Sequence, residues 1–236
     1  TIAYCSFKDP QPKVWSIDAD GGNQRQLIEQ ESCYPGYSAD GKKLSYTSQG
    51  DLYVKDLNKG RVKNITADLV DGNMIDDTVP VWAPKGNRIA FIGRYESFES
   101  EIYAIDASGK GIKRITDNLY EDFIPRWQPN GKALIYAGFD MNRPPEIFVT
   151  DAETRKRNKV TDNFIMDFSP SFSNNGTTIV FLRYQKGRQK PYLVDINGKN
   201  ERPLFAQDFN PKIKPGTTKP APKKKVVQKQ KANKRR

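Results

Sequence analysis

The chain has 236 residues, with 39 Lys and Arg, 28 Asp and Glu, and no His. This length suits one ordinary domain or one closed array of repeats. The absence of histidine removes the commonest general base and metal ligand, which argues against Ser-His-Asp triads and histidine-based zinc sites. No apolar run approaches the ~18 to 20 residues that a membrane-spanning helix needs.

The positive excess lies at the C-terminus. From Pro211 to Arg236 there are eleven basic residues and no acid, whereas residues 1–210 are formally neutral. Such a lysine-rich segment cannot bury enough surface to offset its ordering entropy, so residues 217–236 are predicted to be a disordered tail. The tail either stays solvated or contacts an acidic surface, such as a partner protein or anionic lipid. Nucleic acid is disfavoured, because the tail has no aromatic residue for base stacking.

Four stretches of the chain repeat one pattern at intervals of 45 residues. In each, a proline is followed six residues later by a glycine. The prolines are Pro35, Pro80, Pro125 and Pro170, and the glycines are Gly41, Gly86, Gly131 and Gly176. A fixed period of this length indicates an array of supersecondary units.

Residues 78–116 show how one unit is built. "TVPVWA" is expected to be extended, because the residue before a proline is pushed toward the β region. "PKGN" has turn chemistry, and "RIAFIG" reads as a strand covered on both faces. "EIYAID" predicts a third strand and "GIKRIT" a fourth strand at the edge. The unit is therefore a four-stranded antiparallel sheet.

The third strand occurs five times, whereas the complete first strand occurs four times. "IAYCS", Ile2–Ser6, matches a second strand, so the first unit lacks a first strand of its own. The segment from Asn210 to Gly216 is expected to supply it and close the ring. The sequence thus predicts an all-β fold, a five-bladed β-propeller over residues 1–216. A linear β array, or six blades if further sequence lies upstream, are the alternatives.

The quoted motifs resemble the WD40-like repeat of TolB-type β-propeller proteins. The resemblance is carried by "PVWAPKGNRIAF", "EIYAID" and "RITDN", and again by "PRWQPNGKALIY", "EIFVTD" and "KVTDN". It implies a non-enzymatic, periplasmic scaffold in a Tol–Pal-like assembly of the bacterial cell envelope. It also implies protein partners, with a peptidoglycan-associated lipoprotein as one candidate. Similar repeats occur in the substrate-gating propellers of prolyl-oligopeptidase-like peptidases, which is the alternative function.

Carboxylates recur three residues before the first-strand prolines. The series is Ser32, Asp77, Asp122, Asp167 and, in the closing segment, Asp208. Because first strands line the channel of a propeller, these positions should form a ring at one channel mouth. Three interpretations stay open: loop caps that bond backbone amides, a hard cation such as Ca²⁺, or a basic segment of a partner. No cofactor is required, and a carboxylate or metal propeller enzyme is a third functional alternative.

Two further residue pairs carry expectations. Trp82 and Trp127 occupy equal places in first strands and are expected to pack in the core or against the channel, with a recognition surface as the alternative. Cys5 ends a strand of the first unit and Cys33 begins a strand of the second, at the same end of neighbouring sheets. A disulfide between them would suit an oxidising periplasm.

Overall fold

The computed structural model describes residues 1–67, 74–95, 100–118, 120–140 and 142–205. Regular structure in this part of the chain consists of nineteen β-strands in five antiparallel sheets. No helix among the described residues could cross a membrane. One compact unit spans Thr1–Ala206, and the boundary predicted at residue 216 lies outside the described residues.

Each sheet is one blade, and its strands follow one another in chain order. The first blade contains β1 (Ile2–Ser6), β2 (Lys13–Ile17) and β3 (Arg25–Gln26). The second contains β4 (Cys33–Tyr37), β5 (Lys43–Ser48), β6 (Asp51–Asp56) and β7 (Val62–Asn64). The third contains β8 (Met74–Trp82), β9 (Arg88–Tyr95), β10 (Ser100–Asp106) and β11 (Lys113–Arg114). The fourth contains β12 (Asp122–Trp127), β13 (Ala133–Asp140), β14 (Arg143–Asp151) and β15 (Arg157–Lys159). The fifth contains β16 (Met166–Phe172), β17 (Thr178–Gln185), β18 (Arg188–Asp195) and β19 (Arg202–Pro203).

The five blades confirm the count made from the third strands. The first blade has three strands, and β1 contacts β4 just as the second strands β5, β9 and β13 contact the first strand of the following blade. Ile2–Ser6 is therefore a second strand, as predicted. The predicted closing segment, Asn210–Gly216, lies outside the described residues, so ring closure stays a prediction.

The hydrophobic core lies between the blades. Four buried clusters each join one blade to the next, and Trp82 and Trp127 belong to two of them. In the cluster between the third and fourth blades, Trp127 and Tyr136 of the fourth blade pack with Ile102 of the third. Because each sheet is only one layer thick, burial of apolar surface depends on the neighbouring sheet.

The expectation that residues before the first-strand prolines are extended is wrong. Tyr34, Val79, Ile124 and Ser169 all have φ between 49° and 54°, in the left-handed region. Each lies at a register shift between the first and second strands of its blade. The local preference for extended backbone before proline is thus overridden by a β-bulge, which turns the strand and increases its twist.

Two tryptophans hold these bulges from the following blade. The indole Nε1 of Trp82 donates to the carbonyl oxygen of Gly36 at 3.0 Å, and Nε1 of Trp127 donates to that of Val81 at 2.9 Å. Gly36 and Val81 each directly follow a bulge proline. Left-handed backbone at a non-glycine residue costs about 1–3 kcal/mol, and these hydrogen bonds help to fix it.

A disulfide joins the first two blades. The sulfur atoms of Cys5 and Cys33 are 2.07 Å apart and the Cα atoms 5.0 Å apart, so the bridge that the sequence left open is present. The bridge connects β1 to β4 at a sequence separation of 28 residues. It therefore ties the three-stranded blade to its neighbour.

We predict that Trp127→Phe lowers the free energy of unfolding by about 1–2 kcal/mol more than Trp15→Phe does. Trp127→Phe leaves the Val81 carbonyl without its indole donor, whereas Nε1 of Trp15 is buried without a hydrogen-bond partner among the described residues. Urea unfolding of both variants measures the difference. Equal losses would show that only ring volume matters at these positions.

We predict that replacing both cysteines, Cys5→Ser with Cys33→Ser, lowers the free energy of unfolding by about 3 kcal/mol, because a loop of this length is released in the unfolded chain. The wild-type protein under reducing conditions should unfold at the same denaturant concentration as the double variant. A double variant as stable as the oxidised protein would contradict a stabilising bridge.

Candidate functional site

The predicted carboxylates stand at equivalent places in three blades. Asp77, Asp122 and Asp167 lie at or near the starts of β8, β12 and β16, and Ser32 directly precedes β4. Their side chains are buried, with relative exposures of 4%, 0% and 0% for the three aspartates and 2% for Ser32. Asp208 lies outside the described residues. The structure therefore places these carboxylates between blades, beneath the surface of the end where the first strands begin.

Two of the aspartates are bonded to the linker that precedes their blade. Asn118 Nδ2 donates to Asp122 Oδ2 at 2.9 Å, and Asn163 Nδ2 donates to Asp167 Oδ2 at 3.0 Å. Each asparagine ends the "TDN" of one repeat and lies four residues before its aspartate. The side-chain amide thus joins the linker to the first strand of the next blade.

A buried glutamate completes each of these groups. Glu101 and Glu146 begin the apolar part of the third strands and are 0% exposed. The backbone N–H of Asn118 donates to Glu101 at 2.7 Å, and that of Asn163 donates to Glu146 at 2.6 Å. Thr161 adds a hydroxyl donor to Glu146 at 2.6 Å. Carboxylates of two blades are therefore held by one linker.

The residue opposite each aspartate decides how its charge is compensated. Asp77 pairs with Gly93 and Asp122 with Gly138 on the second strand, whereas Asp167 pairs with Arg183. Arg183 donates two hydrogen bonds to Asp167, both of 2.7 Å. It also contacts Glu201 at 2.5 Å. Although burial opposes it, these hydrogen bonds raise the pKa of Arg183 above its usual value.

The two aspartates opposite glycine are compensated less well. Burial raises the pKa of Asp122 to about 7, against the weaker lowering effects of Thr116, Arg157 and Asn118. Burial also raises the pKa of Asp77 to about 7. Oδ1 of each has no hydrogen-bond partner within the described part of the chain. Burial therefore favours the protonated form of both carboxyls.

Gly138 is required by the close approach of Asp122. A Cβ atom at residue 138 would overlap Oδ1 of Asp122. The glycine opposite Asp122 thus makes room for the buried carboxyl, whereas Arg183 of the next blade occupies the corresponding position and neutralises Asp167. The position opposite the aspartate thus compensates the buried carboxylate with a positive charge in the fifth blade and only provides space for it in the fourth.

Among the described residues, no group of three or more His, Cys, Asp or Glu side chains is arranged to hold a metal ion. The aspartates are one blade apart, and Asp208 is not among the described residues. The proposed Ca²⁺ site at Asp77, Asp122, Asp167 and Asp208 stays a prediction, as does the partner contact. The bonds of Asp122 and Asp167 to asparagine side chains were not among the expected interactions.

The surface at this end of the second to fourth blades is acidic. We call it the linker end, because it carries the blade-to-blade linkers and the second-to-third-strand hairpins. Among the described side chains at or beside this end, seven acids and four basic residues are exposed or partly exposed, whereas Asp77, Glu101, Asp122 and Glu146 are buried. The exposed or partly exposed acids are Glu29, Glu31, Asp51, Asp76, Asp117, Glu121 and Asp162, and the basic residues are Arg94, Arg114, Arg143 and Lys159. Arg114 contacts Asp117 at 3.2 Å, and Arg143 and Lys159 each contact Asp162 at 2.9 Å. Asp76 and Glu121, next to the buried aspartates, are partly exposed. A cationic group is therefore favoured at this end.

A cavity of about 190 Å³ opens at the linker end between the second and third blades. Its lining includes Glu31, Tyr34, Asp76 and Asp77. Tyr34, at the bulge of β4, is 50% exposed, and Ile124 at the equivalent bulge of β12 is 38% exposed. Exposed apolar side chains therefore lie at two first-strand bulges.

The sequence contained a signal for the interactions that were missed. Asn118 and Asn163 recur at a distance of four residues before Asp122 and Asp167, and Glu101 and Glu146 open the repeated "EIYAID" and "EIFVTD" strands. A charged residue at a fixed place in a buried strand requires a partner. The asparagine and the glutamate could have been paired on that ground.

We predict that Asp122 and Asp77 each contribute a fall in the free energy of unfolding as the pH rises from about 4 to about 7, opposite in sign to the contribution of acids such as Asp56 and Asp151, whose pKa is lowered. The folded state keeps a proton on Asp122 that the unfolded chain releases near its usual pKa of 3.8. The contribution of Asp122 is up to about 4 kcal/mol, since one pKa unit corresponds to about 1.4 kcal/mol. Asp122→Asn, which stays neutral, should remove this contribution in urea titrations at several pH values.

Asp167→Asn serves as the matched control. It should destabilise the protein over the whole pH range, because it leaves Arg183 buried without its bidentate partner. A pH dependence in Asp122→Asn as steep as in the wild type would show that Asp122 is ionised normally.

The comparisons with known proteins agree with this architecture. A protein described as TolB from Agrobacterium tumefaciens superimposes with a TM-score of 0.69 at 19% identity, covering 88% of this chain and 72% of its own. TolB from Acinetobacter baumannii gives 0.66 at 23% identity, covering 86% and 52%. A puromycin-hydrolysing peptidase from Mycobacterium tuberculosis gives 0.66 at 16% identity, covering 84% and 34%. These identities show the fold alone.

The chain therefore spans about half the length of the Acinetobacter protein and about a third of the peptidase. Among curated proteins, no sequence match is found. The family model of the TolB β-propeller domain matches residues 1–163, which is more than half of the chain. The repeats, the five blades and this match together show that the chain belongs to the TolB β-propeller domain family.

Proposed function

We propose that the chain is a non-enzymatic scaffold that binds a protein partner in a periplasmic assembly of the bacterial cell envelope resembling Tol–Pal. Membership of the TolB propeller family supports this proposal. So does the lack of histidine in all 236 residues, because an interaction module needs no proton transfer at neutral pH.

The observation that carries the proposal is the charge of the linker end. Seven exposed or partly exposed acids there outnumber four basic residues, and the first strands present exposed Tyr34 and Ile124 at the same end. A partner segment with basic and apolar side chains would fit this combination. A peptidoglycan-associated lipoprotein is the candidate partner that the family suggests.

The buried carboxylates have a supporting part in this proposal. Asp122 and Asp167 fix the linkers through Asn118 and Asn163, so they hold the linker end in one arrangement. A rigid surface binds with less loss of conformational entropy than a mobile one. The partly exposed Asp76 and Glu121, rather than the buried aspartates, would meet the partner.

A substrate-gating propeller of a peptidase is the alternative. The likeness to the puromycin-hydrolysing peptidase supports it at the level of the fold. A gate would act only with a peptidase domain attached and would need no tight partner of its own. An independent propeller enzyme is less favoured, because the described carboxylates are buried and bonded to the chain's own residues.

We predict that Asp76→Asn with Glu121→Gln slows association with the purified peptidoglycan-associated lipoprotein of the source organism by about tenfold at low salt, the lower range of electrostatic steering. Surface charge at the rim of an interface acts mainly on the association rate. Biolayer interferometry with the full-length chain measures the rate at several salt concentrations.

Asp20→Asn with Glu153→Gln, two exposed acids at the opposite end, is the control and should leave the rate unchanged. Equal slowing by both pairs would place the contact elsewhere. Absence of measurable binding to the lipoprotein by the wild-type chain would reject this partner.

A further inference from the structure

The second to fourth blades carry opposite charge at their two ends. We call the end opposite the linkers the turn end; it comprises the first-to-second-strand and third-to-fourth-strand turns with their flanks, residues 38–43, 56–63, 83–88, 106–113, 128–132 and 151–156. Twelve basic and five acidic residues lie there. The basic residues are Lys42, Lys43, Lys59, Arg61, Lys63, Lys85, Arg88, Lys110, Lys113, Lys132, Arg155 and Lys156, and the acids are Asp40, Asp56, Asp106, Asp151 and Glu153. This polarity is not a property of the composition, since residues 1–210 are formally neutral.

The acids of the turn end are used inside the turns. Asp56 accepts from the backbone N–H groups of Asn58 and Lys59, and Asp106 accepts from that of Ser108 at 2.7 Å. Asp40 and Asp151 accept backbone N–H groups in the same way. Glu153 lies between Arg88 and Lys113, at 2.5 and 3.2 Å. Basic residues outnumber carboxylates by twelve to five at this end, and nine of the twelve basic side chains are exposed.

The turns of successive blades lie side by side. Lys43 Nζ donates to Asn87 Oδ1 at 3.3 Å, from the second blade to the third. Lys113 Nζ donates to the carbonyl oxygen of Glu153 at 2.6 Å, from the third blade to the fourth. The basic side chains thus project from one continuous surface that three blades share.

We propose that the turn end docks onto an anionic lipid surface. Each lysine near such a surface gains from its negative potential, and the gain accumulates when many cations face it together. A surface spread over three blades matches a planar array of headgroups. The headgroups do not have to be arranged in a fixed pattern opposite the turn end, because each lysine carries its charge at the end of a flexible side chain.

The composition of the turn end favours lipid over nucleic acid as its ligand. The turn end as defined contains no Phe, Tyr or Trp, so single-stranded bases would find no stacking partner. Nine of its twelve basic residues are lysine rather than arginine, and arginine is the usual reader of base edges. Docking through this end would direct the acidic linker end away from the lipid.

Sedimentation with phosphatidylcholine vesicles, with and without phosphatidylglycerol, tests the proposal. The full-length chain is used in a background where the eleven basic residues after Pro211 are changed to glutamine, so that the tail does not contribute. The test variant carries Lys59→Gln, Lys85→Gln, Lys110→Gln and Lys132→Gln, all exposed at the turn end. The matched control carries Lys8→Gln, Arg94→Gln, Lys186→Gln and Arg188→Gln, all exposed outside the turn end.

The background protein should bind the phosphatidylglycerol vesicles and not the neutral ones, and should dissociate at high salt. The turn-end variant should bind at least about tenfold more weakly, and the control should stay close to the background. Circular dichroism establishes that both variants are folded. Equal weakening in both variants, unchanged binding of the turn-end variant, absence of binding to phosphatidylglycerol, or tighter binding to duplex DNA at the same salt would each overturn the proposal.

Discussion

Every blade of this protein depends on its neighbours to cover its two faces. Strand β13 is buried along both faces from Ala133 to Gly138, because the third and fifth blades pack on either side of its sheet. Strand β17 of the last described blade alternates instead: Ile179 and Phe181 are buried, whereas Val180 and Leu182 between them are only partly so. The repeats are chemically alike, so this contrast reflects position in the array. Stability in such an array resides largely in the contacts between repeats.

The buried polar groups between the blades also depend on the neighbouring blade, but the residues that compensate them differ from one blade to another. A buried carboxylate needs compensation wherever it stands, and the linker asparagine supplies only one hydrogen bond to it. The fifth blade adds Arg183 opposite Asp167, with Glu201 on its other side. In the fourth blade, Gly138 occupies the position that corresponds to Arg183. Arg157 occupies the position that corresponds to Glu201, since each lies six residues after the aspartate that ends the third strand of its blade. A positive charge thus approaches the aspartate from a different strand, and it compensates burial less completely.

The architecture was largely readable from the sequence, because a fixed period constrains many residues at once. The proline-to-glycine spacing defined the repeating unit. The strand order placed Cys5 and Cys33 at the same end of neighbouring sheets but left open whether they are bridged. The conformational preferences of single residues predicted the local backbone less well. Val79 and Ile124 precede proline and are β-branched, yet both are left-handed, since the bulge satisfies tertiary packing and a hydrogen bond from Trp127 to the residue after Pro80.

The same limit applies to the candidate site. Periodicity shows that Asp77, Asp122 and Asp167 are equivalent, but it does not show toward which side of a bulged strand they point. The side-chain direction depends on the register shift, and no local sequence pattern predicted that shift. Burial then followed from the packing of the next blade. Equivalence within a repeat therefore predicts a shared environment without predicting whether that environment is water or protein.

In the four-stranded blades, the even number of antiparallel strands places the turns at one end and the linkers at the other, and the two ends are under different constraints. The turns require residues such as Asp56 and Asp106 that satisfy their own backbone, which leaves the remaining turn positions open to lysine. The linkers must join one blade to the next, and they do so through buried acids and asparagine. The turns and the linkers therefore favour different residue types. The two ends can differ in charge for this reason while the apolar clusters between the blades stay the same. Because the clusters keep the ends apart and rigidly related, a partner at the linker end and a surface at the turn end would not compete for the same residues.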